Sequence, residues 1–145
     1  MASWISTVAV GTDGSETAGR ALAAAIELAE RFGARLVILS AFDGHARTEA
    51  APRLSGGDPG WASNAAEQTE RILAFAEESA GERGIECSSA MAEGDAGEVL
   101  VRLAEQHGAD VLVVGSKGME RRVLGSVPNT VSHKAACSVL VVKTS

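Results

Sequence analysis

Val111, Leu112, Val113 and Val114 form an uninterrupted apolar run, rich in β-branched side chains, that stops at Gly115. A run of that length and makeup fits a strand buried on both faces, as in a parallel sheet covered by helices. A loop carrying Gly118, Gly125 and Ser126 follows, then Val127-Pro128-Asn129-Thr130-Val131, where Ser126 can cap a helix and Pro128 fits its first turn. Strand, glycine loop and helix start are the components of an anion site. Glycine lets the backbone come close to an oxyanion, and the N–H groups of a first helical turn have no internal partner. Lys117, Arg121 and Arg122 share this loop with a single acid, Glu120, in a chain of net charge −6. One reading is a loop that holds phosphate. The other is a surface loop whose glycines turn the chain and whose basic residues are merely solvated. Neither G-x-x-x-x-G-K-S/T nor a strand-following G-x-G-x-x-G occurs.

The rest of the chain repeats the strand–helix alternation. Val8-Ala9-Val10 reads as a first strand ending in the tight loop Gly11-Thr12-Asp13-Gly14-Ser15, with Ser15 capping a helix. That helix carries Ala18, Ala21, Leu22, Ala25, Ile26 and Ala29 at helical spacing and stops at Gly33. Leu36-Val37-Ile38-Leu39 is a second apolar run, continuing through Phe42. Residues 43–63 dissolve into Gly, Pro, Asp and Ser and read as a long loop, a flap or a disordered stretch. A helix follows from about Asn64 to Arg83, with Ala66, Leu73, Ala76 and Ala80 on one face and Gly84 as its stop. Residues 85–91 alternate weakly and suggest an edge strand. Asp95, with Glu98 three residues on, opens a helix bearing Val99, Leu100 and Leu103 that Gly108 ends. Ser138-Val139-Leu140-Val141-Val142 is the last strand. The pattern predicts an α/β fold with a largely parallel sheet and helices on both faces. Ligands of such sheets lie beyond the carboxyl ends of the strands, where the strand order reverses. The loops after the first and fourth strands line one crevice if those strands are neighbours there.

At 145 residues the chain has the length of one domain, here taken as 1–145, able to bury roughly two thirds of its unfolded surface. Aromatic residues make up 3% and Tyr is missing, so the core is aliphatic and platforms for stacking bases are scarce. With the acidic charge, this argues against a nucleic-acid partner. Cys87 and Cys137 have no metal-ligand spacing and read as idle thiols in a reducing compartment. The opening residues lack a basic segment ahead of an apolar one, and no run approaches the ~20 residues of a membrane span. No membrane partner and a cytoplasmic location are expected. His45, His107 and His133 are scattered; Trp4 is expected at the sheet edge and Trp61 as an anchor within the long loop. No serine–histidine or cysteine–histidine pairing is visible, so no catalytic residue is assigned, and hydrolysis of any phosphate compound held by the loop is expected to be slow.

From the V-A-V-G-T-D-G-S opening to the S-V-L-V-V-K ending, the chain resembles the universal stress protein family. The resemblance is sharpest at Gly115, Gly118, Gly125 and Ser126, followed by Val127-Pro128. It implies a five-stranded parallel sheet in order 3-2-1-4-5 of the adenine nucleotide alpha hydrolase-like kind, a homodimer and, in many members, bound ATP. The implied phosphate contacts fall on Gly115, Gly118, Gly125, Ser126 and Val127, and Ser116, Lys117, Met119 and Arg121 are further candidate nucleotide-binding residues of the same loop. Gly11 and Thr12 fall at the end of the first strand, and Ala41 falls where main-chain groups meet the adenine. Asp13 matches the acidic residue that approaches the ribose or a metal such as Mg²⁺; on the residues alone it equally reads as a turn-forming aspartate. ATP-binding members commonly have a longer spacer between the second and third glycines than the six residues here, Met119 to Leu124.

The leading expectation is therefore an ATP-binding regulator of the stress response. The alternatives are a member that prefers cyclic AMP, which needs fewer phosphate contacts, and a dimeric scaffold that binds no nucleotide. An α/β hydrolase or adenylyl-transfer enzyme would need a catalytic constellation that is not apparent. The last strand is apolar from Val139 to Val142 and would be an edge in the implied sheet order, which points to a homodimer paired through it.

Overall fold

The computed structural model describes residues 4–42, 60–116 and 126–143. The elements are β1 (Thr7–Gly11), α1 (Glu16–Phe32), β2 (Arg35–Phe42), α2 (Gly60–Gly81), β3 (Cys87–Glu93), α3 (Ala96–Gln106), β4 (Val111–Gly115), α4 (Ser126–Lys134) and β5 (Ser138–Val142). They build one sheet in the order β3-β2-β1-β4-β5 with every pairing parallel, as the alternation of strand and helix predicts. β1 is central, with Ala9 opposite Val37 on one side and Leu112 on the other.

Alternation along the strands divides the core between two faces. Val8 and Val10, with Leu36, Ile38, Val111 and Val113, pack under Ala21, Leu22, Ala25, Ile26 and Ala29 of α1 and Leu73, Ala76 and Ala80 of α2. The alternate residues, Ala9, Val37, Leu39, Leu112 and Val114, pack under Val99, Leu100, Leu103 and Ala104 of α3 and Val131 of α4. Val111 to Val114 are buried on both sides, as a continuous apolar run requires. The alanines of α1 let its backbone lie close to the sheet.

Caps and stops explain where the helices begin and end. Ser15 Oγ accepts from the Ala18 N–H at 3.1 Å, and Asp95 Oδ2 accepts from the Glu98 N–H at 3.1 Å. The Glu98 carboxylate does not turn back to close a capping box; it pairs with Lys134 of α4. Gly33 and Gly84 take positive φ of 65° and 75° just past α1 and α2.

Four expectations need correction. α2 begins at Gly60 and ends at Gly81, not Asn64 to Arg83, so the long connection is shorter than the stretch of turn residues suggests. Its buried face uses Ala65, Thr69, Leu73, Ala76 and Ala80, with Ala66 only half-buried. β3 runs two residues later than 85–91, although it is an edge strand. Trp4 precedes the central strand and is 67% exposed, so it does not pack at the sheet edge.

Candidate nucleotide site at the carboxyl ends of β1 and β4

β1 and β4 are neighbours, and the chain leaves them toward opposite faces of the sheet: α1 on one, α4 on the other. That reversal opens a crevice at their carboxyl ends. The turn after β1 is held firmly. Thr12 N–H donates to the Leu39 carbonyl at 2.9 Å, and the buried Ser40 hydroxyl donates to the Thr12 carbonyl at 2.7 Å, which ties the turn to β2. Ser15 N–H donates to Asp13 Oδ1 at 2.9 Å and Gly14 N–H donates to Thr12 Oγ1 at 3.2 Å. Asp13 is thus a turn-forming aspartate, and Gly14 sits at φ +81°, a conformation that costs other residues strain.

The other wall comes from β4 and α4. Gly115 ends the strand, and Ser116, 1% exposed, donates its N–H to the Val142 carbonyl at 2.9 Å. α4 starts at Ser126 with Pro128 buried in its first turn, where a missing N–H costs nothing. α3 closes the back. A methyl group built on Gly11 would stand 2.7 Å from Leu100 Cδ1, so the glycine makes room for Leu100 of α3 at the cavity wall.

Between these walls lies a cavity of about 460 Å³, within the size range of small-molecule sites. The first turns of three helices reach it: Thr17 and Ala18 of α1, Ala96 of α3, and Ser126, Val127 and Pro128 of α4. First turns present unpaired N–H groups and the positive end of the helix dipole. Asp13 is the one charged residue among the described lining residues; Thr12, Ser15, Thr17 and Ser126 add hydroxyls, and Gly11, Ala18, Ala41, Ala96 and Gly115 keep the walls low. The arrangement can hold a small anionic molecule by main-chain donors and hydroxyls. Among the described residues no three His, Cys, Asp or Glu side chains gather as a metal cluster.

The universal stress protein family model matches residues 5–143. The chain belongs to that family. Its relatives include universal stress protein Rv1636 of Mycobacterium tuberculosis, 37% identical over 145 residues covering 95% of this chain and 96% of the relative. Another is universal stress protein YxiE of Bacillus subtilis, 30% identical with 92% and 96% covered. A solved universal stress protein in complex with cAMP superposes with a TM-score of 0.73 at 32% identity, covering 99% of this chain and all of that one. A family member from Burkholderia pseudomallei gives 0.72 at 32% identity, with 97% of each chain covered.

Seven family positions read from the sequence, Gly11, Thr12, Asp13, Ala41, Gly115, Ser126 and Val127, line this one cavity. Ser116 is not among the lining residues: it is buried at the tip of β4. Lys117, Gly118, Met119, Arg121 and Gly125 lie outside the described residues, as do His45 and the side chain of Trp61. Sequence reasoning placed Ser15 in a loop of the crevice but did not assign Thr17, Ala18, Ala96, Leu100, Val114 or Pro128 to the site. Most of these are first-turn residues of helices that follow strands, a positional rule that would have found them. Leu100 carries no such signal.

Proposed function

We propose that this universal stress protein binds an adenine nucleotide, ATP in the first instance, in the cavity between β1 and β4, and serves as a cytoplasmic regulator of the stress response. The observation that carries the reading is the convergence of three helix first turns on one small-walled cavity in an otherwise acidic chain. In this reading the adenine lies at the end of β2 by Ala41, the ribose approaches Asp13, and the phosphates meet Gly115, Ser126 and Val127. The residues fit such a guest: the walls are small, hydroxyl-bearing and neutral apart from one carboxylate. With that single carboxylate, Asp13, a Mg²⁺ ion would be held largely by phosphate oxygens. The protein works as a binding module whose partners respond to occupancy, and it forms a homodimer through β5.

Cyclic AMP is the second reading. It is supported by the solved relative in complex with cAMP, 32% identical along almost the whole chain, and by the six-residue spacer from Met119 to Leu124. A ligand with one phosphate asks less of a short loop. The test is to denature the purified protein, assay the supernatant for adenine nucleotide, and titrate ATP and cyclic AMP by calorimetry with and without Mg²⁺. ATP binding strengthened by Mg²⁺ supports the first reading; tighter, Mg²⁺-independent cyclic AMP binding supports the second. No heat from either ligand, with no nucleotide released, refutes both and leaves a scaffold.

A further inference from the structure

The Thr12–Ser15 turn is a wall between two cavities. One side faces the candidate nucleotide site; the other faces a second cavity of about 380 Å³ between α1 and α2, lined in part by Thr12, Gly14, Ser15, Ile72 and Phe75. α2 packs on β2 and β3 through Leu73, Ala76 and Ala80. Ile72, half-buried, leans instead on the turn: a methyl group built on Gly14 would stand 2.9 Å from both its Cδ1 and Cγ1 atoms.

The two ends of the turn are secured elsewhere. Thr12 is bound to β2 by the Leu39 and Ser40 hydrogen bonds, and Ser15 caps α1. In the middle of the turn, Asp13 Oδ1 accepts from the Ser15 N–H and the Gly14 N–H donates to Thr12 Oγ1, both at exposed positions. Such bonds trade readily with water and hold little by themselves. Gly14 is the residue with the most conformational freedom to regain. Packing of Ile72 against Gly14 opposes that release.

Building on the adenine-nucleotide reading, we propose that Ile72 is a positioning residue for the nucleotide site. By filling the space left by the missing side chain of Gly14, it holds the turn in the shape that presents Thr12 and Asp13 to the ligand. Ligand affinity is thereby tied to the Ile72–Gly14 contact itself rather than to how firmly α2 packs on the sheet. A preorganised wall costs less to order on binding, and truncating Ile72 returns that cost to the binding equilibrium.

The test compares the full chain with Ile72→Ala, Ile72→Val and Leu73→Ala, using ATP and cyclic AMP as ligands. Ile72→Ala should weaken the preferred nucleotide roughly 3- to 30-fold, and Ile72→Val should bind nearly as the parent does. Leu73, adjacent in sequence but buried in the core at 4% exposure, is the control. Leu73→Ala should lower Tm more than Ile72→Ala yet keep the parental Kd where it is folded. In the ligand-free protein, the Ser15 amide, which donates to Asp13 Oδ1, should exchange its hydrogen faster in Ile72→Ala by a similar factor. Parental affinity and parental Ser15 exchange in Ile72→Ala would overturn the proposal, as would affinity losses that simply track Tm across the variants. A parent chain that binds neither nucleotide overturns the nucleotide reading, and this proposal with it; faster Ser15 exchange in Ile72→Ala would then establish only that Ile72 holds the turn.

Discussion

Gly97 of α3 stands so close to Thr130 of α4 that a methyl group on the glycine would lie 2.7 Å from the threonine Cβ and Cγ2 atoms. The contact joins the two helices on one face of the sheet, and the first turn of α4 also lines the candidate site. Two effects compete in Gly97→Ala. Helix propensity favours alanine by about 0.5–1 kcal/mol. Overpacking a tight contact costs about 1–3 kcal/mol, and Thr130 Cβ is fixed to its backbone and cannot swing away. Overpacking wins, so Gly97→Ala should lose about 1 kcal/mol in urea unfolding. It should also weaken the proposed nucleotide binding, because α4 must shift. A more stable variant would show that the helices part without cost.

At the opposite end of the sheet Asp110 plays a comparable joining role. Its Oδ2 accepts from the Ser6 N–H at 2.9 Å, the Thr7 N–H at 3.0 Å and the Ser6 hydroxyl at 3.2 Å, linking the start of β1 to the entrance of β4. The Ser6 backbone bond foremost, with help from Thr7 and the Ser6 hydroxyl, holds the carboxyl below its ordinary value against the opposing effect of desolvation. A depressed folded-state pKa contributes stability that is present above the unfolded value of about 3.9 and is lost as pH falls through the folded one. Asp110→Ala should therefore be less stable than the parent by about 1 kcal/mol at pH 7, low for a charged acceptor because the site is solvated. The gap should close once the pH is below the folded pKa. Urea melts across that range decide it: a gap that persists at the acid end would assign the loss to packing.

The central strands were legible because β1, β2 and β4 are short apolar runs that need no partner to be recognised. α2 was harder to bound for a physical reason. Thr69 sits on its buried face and donates its hydroxyl to the Ala65 carbonyl at 2.8 Å, so a polar letter occupies a core position and blurs the helical period. The Gly-Trp-Ala-Ser start of the helix also reads as a turn. β3 carries Ser88 and Ser89 and is half-buried at the edge, which leaves its ends weakly marked. For the site, the residues that end β1 and β4 were legible because their glycines and caps are local signals. Leu100 was not, since its place in the cavity depends on the depth at which α3 meets Gly11.

Cys87 lies on β3 with its thiol pushed up to about 11, by burial first and by the negative charge of Glu77 second. Burial also raises the Cys137 thiol. Because the thiolate is the nucleophile, a higher pKa means slower alkylation. At pH 8 Cys87 should react with iodoacetamide on the order of 100-fold more slowly than a free cysteine of pKa about 8.5, from the thiolate fractions alone. The rate should keep climbing as pH rises toward 11. Glu77→Gln should lower that pKa and speed the reaction modestly. A rate that levels off near pH 8.5 would show that the thiol is unperturbed.

Among the described residues no strand pairs with the outer edge of β5, and its hydrogen-bonding pattern says how to test the proposed homodimer. Ser138 N–H donates to the Asp110 carbonyl, and the Val142 carbonyl accepts from the Ser116 N–H, so Ser138, Leu140 and Val142 turn their backbone groups toward β4. By alternation Val139 and Val141 turn theirs outward, where a second copy would pair. Proline has no N–H and is tolerated on an edge strand when the missing donor faces outward. Val141→Pro should therefore leave the sheet folded while removing a donor from the proposed interface. Leu140→Pro removes one from the ladder to β4 and should destabilise the chain itself. Sedimentation at micromolar concentration should give a dimer for the parent and a folded monomer for Val141→Pro. A parent that sediments as a compact monomer, or a Val141→Pro variant that stays dimeric, would remove β5 as the pairing surface.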